Sequence, residues 1–283
     1  MYQKKGQITV FIILGLIMLL SLVLILFIRS ETIKIRGEVP ESVITHEIAT
    51  DPIKSYLENC VEDISKEAIY QASFYGGYLY PSGSEEYNEP GSGDEWYDYY
   101  FYDDLKIPFL LNEKTIHLRP KKKNAEVISN FVLEKAQSCF ENLTVFEEQG
   151  FIFTFPQLKK SAFTIIKDDE VLVNLHYPLR ITRDDKMTLF EDYNVVLNLR
   201  LGLLYNIAEK ILNDIKENQP IDISKRCNFY KPDNQINIYL ELNLYTYEYV
   251  LRVVDSFPLA KDDQPQIFQF ALKNVDVKGE CIE

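Results

Sequence analysis

Residues 236–245 read INIYLELNLY, in which Ile236, Ile238, Leu240, Leu242 and Leu244 alternate with Asn237, Tyr239, Glu241, Asn243 and Tyr245. A period of two sends the two sets to opposite sides of a pleated backbone, so the stretch predicts a strand with one buried face. Tyr247 to Asp255 and Gln266 to Val277 predict two more strands. Upstream, Val171, Val173 and Leu175 alternate with Leu172, Asn174 and His176, and Lys167-Asp168-Asp169 before them marks a hairpin turn. Val195, Leu197, Leu199 and Leu201 repeat the pattern.

Between these strands the period changes to 3.6. Leu204, Ile207, Ala208, Ile211, Leu212 and Ile215 make a helical stripe that Asn218 and Pro220 end. Two more helices are expected nearer the amino terminus. One opens at Asp51 as cap, with Pro52 in its first turn, buries Ile53, Leu57, Val61, Ile64 and Ala68, and stops at Gly76-Gly77. The other runs from Ala125 to Phe140, with Lys121, Lys122 and Lys123 before it as a solvated connection. About three helices among antiparallel strands predict an α+β domain over residues 51–283.

The 283 residues carry 30 Lys and Arg against 43 Asp and Glu, a net charge of −13. Binding to nucleic acid needs a basic face that neutralises phosphates, and this balance excludes it as a function class. At 46% hydrophobic residues, with 11 Gly and 12 Pro, the composition also excludes overall disorder and collagen-like repeats.

The amino terminus reads MYQKKGQITVFIILGLIMLLSLVLILFIRS. From Ile8 to Ile28 no charge interrupts the apolar run, which at about 1.5 Å per residue is long enough for a bilayer core of roughly 30 Å. The expected organisation is a leader over 1–7, a transmembrane helix over 8–28 that contacts the lipid bilayer, a stalk over 29–50 and the α+β ectodomain. Lys and Arg are nearly balanced across the span, so charge orients it weakly. The apolar core is too long for a removed secretory signal, and Phe27-Ile28-Arg29-Ser30 is a poor cleavage site.

The layout Lys4-Lys5-Gly6-Gln7, then β-branched residues, then a long apolar helix resembles the class III signal peptide of archaeal type IV pilin-like proteins. That resemblance implies a prepilin-type signal peptidase cutting between Gly6 and Gln7 at the cytoplasmic face, with the helix retained. The alternative is an uncleaved signal anchor. The chain departs from bacterial-type pilins at Phe11, where they carry a glutamate that registers subunits in a filament. Ser55-Tyr56-Leu57-Glu58-Asn59-Cys60, Gly76-Gly77-Tyr78, Phe146–Phe151 and Val171–Leu179, in that order, resemble a family of membrane-anchored proteins of small-genome archaea. This second resemblance implies location and architecture, and no activity.

All four cysteines, Cys60, Cys139, Cys227 and Cys281, follow the apolar span. An even count suits disulfides in an oxidising compartment, and the absence of C-x-x-C argues against a zinc or thioredoxin-like site. Three connectivities are open. Cys60–Cys139 is favoured because each lies on the apolar face of an expected helix, leaving Cys227–Cys281 to pin the carboxyl end. Four buried thiols are the alternative. Asn142-Leu143-Thr144 matches the N-glycosylation pattern and makes Asn142 a candidate acceptor. Cysteines, pattern and resemblance together favour a cytoplasmic amino terminus and an extracellular ectodomain.

The stretch 78–104, YLYPSGSEEYNEPGSGDEWYDYYFYDD, is expected to be an acidic, Tyr-rich loop, with 81–104 as its body. Tyr87, Trp96, Tyr97, Tyr99 and Tyr100 are its candidate partner-binding residues, because such rings offer contact area with few rotors. Glu85, Glu86, Asp94, Glu95, Asp98, Asp103 and Asp104 have no EF-hand spacing, so cation binding there is a weak signal. The acid pairs Asp168-Asp169, Asp184-Asp185 and Asp262-Asp263 sit at turn positions. His46, His117 and His176 form no metal-binding or hydrolase pattern, and no phosphate-binding, dinucleotide or nucleophile-elbow motif occurs. Neither a cofactor nor catalysis is indicated. The expected function is that of a pilin-like surface protein contacting the envelope, another cell or itself through a surface protein or glycan. The alternative is a tethered solute-binding or hydrolytic ectodomain, which requires a concave polar site.

Overall fold

In a computed structural model, residues 50–79, 99–102, 105–244, 246–256 and 265–282 are described. They belong to one compact unit, Ile48–Glu283. The expected leader, membrane span and most of the stalk lie outside the described residues, among which no helix is long and apolar enough to cross a membrane.

Helix α1 covers Asp51–Phe74, with Thr50 at its cap position and Asp51 in its first turn. A carboxylate there faces the positive end of the helix dipole. Tyr75 leaves the helix, and Gly76 and Gly77 follow with φ of +59° and +100°. A Cβ on Gly77 would lie 2.7 Å from Asn124 Nδ2, so this exit demands glycine for space as well as for backbone angle. The expected second helix is two pieces, α2 (Lys121–Lys135) and α3 (Gln137–Glu141), separated at Ala136. The three lysines are not a connection but the first turn of α2. Cations at a helix N-terminus oppose the dipole; Lys121 offsets this by donating to Asn206 Oδ1 at 2.7 Å. A short helix α4 follows at Thr144–Glu147.

The strands form two main sheets. The first contains β1 (Tyr99–Tyr102), β2 (Leu105–Asn112), β3 (Thr115–Ile116), β9 (Ile236–Asn243), β10 (Glu248–Asp255) and β11 (Gln266–Lys273). Its order is β1-β2-β11-β10-β9, with β3 beside β1 on the flank of β2. It is not purely antiparallel, since β2 and β11 run parallel. The second contains β4 (Ile152–Thr154), β5 (Ser161–Ile166), β6 (Val171–Arg183) and β7 (Lys186–Leu197), all antiparallel. Here β6 is central, with β4 and β5 on one flank and β7 on the other. A small parallel pair joins β8 (Ile221–Asp222) to β12 (Val277–Lys278). Helix α5 (Leu201–Glu217) and the short α6 (Cys227–Tyr230) complete the α+β fold.

Three expectations change in detail. Leu199 and Leu201 are not in a strand: the chain leaves the sheet after Leu197, and Leu201 opens α5. Gly202, in that first turn, lets the helix sit against the β5–β6 turn, since a Cβ there would lie 2.3 Å from the Lys167 carbonyl oxygen. The last predicted strand is two, because the chain bends at Asn274, where φ is +55°, and Val277 pairs with Ile221 instead. Part of the expected acidic loop, Tyr99–Tyr102, is the edge strand β1.

Helix α1 packs on β7 of one sheet and β11 of the other, and α5 packs on β10 and β11. One core therefore serves both sheets, with Leu57, Phe131, Phe140, Leu175, Leu204 and Phe268 among its members. Phe140 stacks on Tyr177 at 3.8 Å and meets Tyr193 edge-on at 5.2 Å.

Burial pushes the phenols of Tyr193, Tyr205 and Tyr230 well above their ordinary range, and a hydrogen bond to the Asp214 carboxylate adds to the effect on Tyr230. A raised folded-state value favours the protonated form, so this stabilisation is complete below the unfolded phenol pKa of about 10 and is lost as pH rises past it. Alkaline titration at 295 nm is expected to release these three phenolates only together with loss of the far-ultraviolet circular dichroism. Their appearance near pH 10 with the fold intact would contradict the burial.

Candidate interaction surface

Strands β5, β6 and β7 put a regular grid of side chains on the face opposite the core. The first row is Ile165, Leu172 and Val196; the second is Phe163, Asn174 and Asn194; the third is Ser161, His176 and Asp192. Rows on adjacent strands lie about 4.8 Å apart, close enough for cross-strand contact. Asn174 Nδ2 donates to Asn194 Oδ1 at 2.7 Å, and His176 Nδ1 lies 2.9 Å from Asp192 Oδ1. Phe163 is 63% exposed, Val196 59% and Ile165 41%. Behind them Val173, Leu175, Tyr193 and Val195 are buried. The grid therefore runs from an apolar row to an ionisable one while its reverse side is core.

A bulge ends the grid. Tyr177 and Pro178 together stand opposite one residue, because His176 pairs with Asp192 and Leu179 with Phe190. Proline lacks a donor, and a bulge is where a strand tolerates it. Beyond the bulge the covered side of β7 changes: Tyr193, Val195 and Leu197 are buried, but Met187, Leu189 and Glu191, at the same parity, are exposed.

A groove of about 540 Å³ follows the β5 side of the grid. Its floor and one wall come from Ala162–Ile166, the other wall from Ala125, Ser129 and Asn130 of α2, and Lys121, Lys122 and Glu126 sit at its basic end. Ser129 Oγ donates to Thr164 Oγ1 at 2.9 Å and holds the helix to the strand. Lys123 donates to Glu126 Oε2 at 2.8 Å, and this bond keeps the Glu126 carboxyl below its ordinary range.

The expected site residues are scattered relative to this surface. Gly6, Gln7, Tyr87, Trp96, Tyr97 and the acids from Glu85 to Asp104 lie outside the described residues, as do His46 and Asp262-Asp263. Tyr99 is half-buried at the start of β1. Tyr100 is not an exposed contact residue: it is 6% exposed, packs with Ile107, Phe109, Val250 and Ala271, and accepts a hydrogen bond from Asn243 Nδ2 at 2.6 Å. Cys60 bonds Cys139 and Cys227 bonds Cys281, the pairing favoured from the sequence. Asn142 is exposed at the end of α3. Among the described residues no group of three or more His, Cys, Asp or Glu side chains is placed to hold a metal ion.

Sequence reasoning did not single out Phe163, Ile165 and Val196 as an interaction surface. The signal was there in part: once Val171, Val173 and Leu175 are taken as buried, the alternate set must face out, and Phe163 and Ile165 share its parity through the hairpin. The chain matches no protein-family model, no curated protein and no solved structure.

Proposed function

We propose that this is a single-span membrane protein whose acidic ectodomain makes contacts outside the cell through the β5–β6–β7 face. The observation that carries the reading is the apolar patch of that face: Ile165 and Val196 flank the half-buried Leu172, Phe163 stands in the next row, and Phe163, Ile165 and Val196 are exposed on a sheet whose other side is core. Contiguous exposed apolar surface rimmed by polar groups is the mark of a protein contact site. Ile8–Ile28 serves as the anchor, and prepilin-type processing between Gly6 and Gln7 would leave it in place. Two disulfides suit an oxidising exterior. Asn142 is available for glycan attachment, and Tyr87, Trp96 and Tyr97, which lie outside the described residues, are further candidate contact residues.

The double variant Phe163→Asp, Val196→Asp tests this. Both side chains are largely exposed, so ectodomain stability should change by no more than about 0.5 kcal/mol. Association with envelope or neighbouring cells should fall at least tenfold. Full association with intact stability would remove the face from the proposal, and a mature chain recovered outside the membrane fraction would remove the anchor.

A further inference from the structure

We infer that the open edge of β5 takes up an extended polypeptide segment, which pairs with it as an added strand in the groove beside α2. The inference rests on the contact-surface reading above and names the partner of that same surface.

In an antiparallel ladder every second residue turns its N–H and C=O away from the partner strand. The ladder of β5 is with β6 alone, and among the described residues no backbone group beyond that ladder bonds β5 on its other side. Open edges pair readily unless charge, proline or a bulge blunts them. On the opposite flank of β6, the outer side of β7 is blunted by Lys186, Glu191 and Asp192. The β5 sequence SAFTII has no charge, no proline and no register shift, and Phe, Thr and Ile are strong strand formers.

Helix α2 stands beside this edge without closing it. It packs closely on β5, makes no backbone hydrogen bond to it among the described residues, is tied to it by Ser129 to Thr164, and lines the groove with the small Ala125 and Ser129. The groove left between them, about 540 Å³, is of ligand-binding size. An open main-chain edge selects for another main chain, which distinguishes a peptide from a glycan or a lipid. The occupant's chemistry follows from its neighbours. Side chains on the outer face would lie next to Phe163 and Ile165 and be apolar. Those on the inner face would meet Ala125 and Ser129 and be small. An acid near one end would answer Lys122, which is exposed at the groove mouth of a chain carrying −13.

The test selects a random decapeptide phage library on the full chain in lipid nanodiscs. The best peptide is then synthesised in two forms, unmodified and N-methylated at alternate residues. The unmodified form should protect alternating amides within Ala162–Ile166 from hydrogen exchange. N-methylation in the register that blocks pairing should weaken binding at least tenfold. Ala125→Trp, which fills the groove, should abolish binding, and the exposed Lys122→Glu, which leaves packing alone, should weaken it severalfold. Failure to select any peptide displaced by Ala125→Trp, equal binding of both N-methylation registers, or protection outside β5 would overturn the inference. Concentration-dependent self-association lost in Ala125→Trp would replace the peptide with a second copy. If the β5 edge fails these tests while Phe163→Asp, Val196→Asp still loses association, the contact surface stands and only its mode of recognition falls.

Discussion

Replacing Cys60 and Cys139 together by alanine is expected to cost about 4 kcal/mol of ectodomain stability. The bond closes a loop of 79 residues between α1 and α3. In the chain-entropy description a crosslink removes conformational freedom from the unfolded state, and the gain rises slowly with loop length. The loop contains the segment 80–98, β1 to β3 and α2, so without the bond the unfolded chain recovers the freedom of all of them. Cys139 is 1% exposed and Cys60 packs against the core, so the alanines also leave unfilled volume there. Urea unfolding followed by circular dichroism, compared with the wild-type chain, reads the loss directly. An unchanged midpoint would exclude the covalent link as a source of stability.

The second large effect is expected from Asp255→Ala, at about 3 kcal/mol. Arg200, between the end of β7 and the start of α5, donates from Nε to Asp255 Oδ2 at 2.6 Å and from Nη2 to the other carboxylate oxygen. Its Nη1 donates to Asp233 Oδ2 at 2.6 Å. Asp255 is 2% exposed at the end of β10, whereas the Asp233 side chain is 38% exposed. Removing the buried partner strips a desolvated guanidinium of its two-point contact, which costs far more than losing a surface pair. Asp233→Ala should therefore cost only about 1 kcal/mol or less, because water replaces that carboxylate. Equal losses for the two variants would contradict the burial difference. The pair also ties the exit of one sheet to the end of the other, so thermal unfolding of Asp255→Ala should remain a single transition at lower temperature if both sheets share one core.

How much of this was legible beforehand depended on how local the deciding interactions are. The stripe from Leu204 to Ile215 and the alternation from Ile236 to Asn243 each show their period within one element, and both elements form. Lys167-Asp168-Asp169 falls at the turn between β5 and β6, where short polar side chains suit a turn, and Gly76-Gly77 ends α1 because the positive φ there favours glycine. Short pieces such as β3, β4, β8 and β12 carry too few residues for a period, and exist because a distant strand offers hydrogen bonds. Tyr99–Tyr102 shows the same dependence: its composition suits a recognition loop, yet β2 pairs with it and Tyr100 is buried against Phe109. The candidate surface was less legible still. Phe163 and Ile165 are not singled out by the sequence, and it is the register with β6 that fixes which side of the sheet they occupy.

The sequence by itself determined the properties that sum along the chain or repeat within a few residues: the acidic charge, the uninterrupted apolar run over 8–28, the α+β alternation of periods and the even set of cysteines. Only the tertiary structure decided which strands pair, that β2 and β11 run parallel, that the buried side of β7 changes at the Tyr177–Pro178 bulge, and that among the described residues β5 pairs with β6 alone. The physical reason is range. Periodicity reports what one element wants to bury, but which neighbour buries it, and which edge is left without one, depends on contacts between residues far apart in the chain.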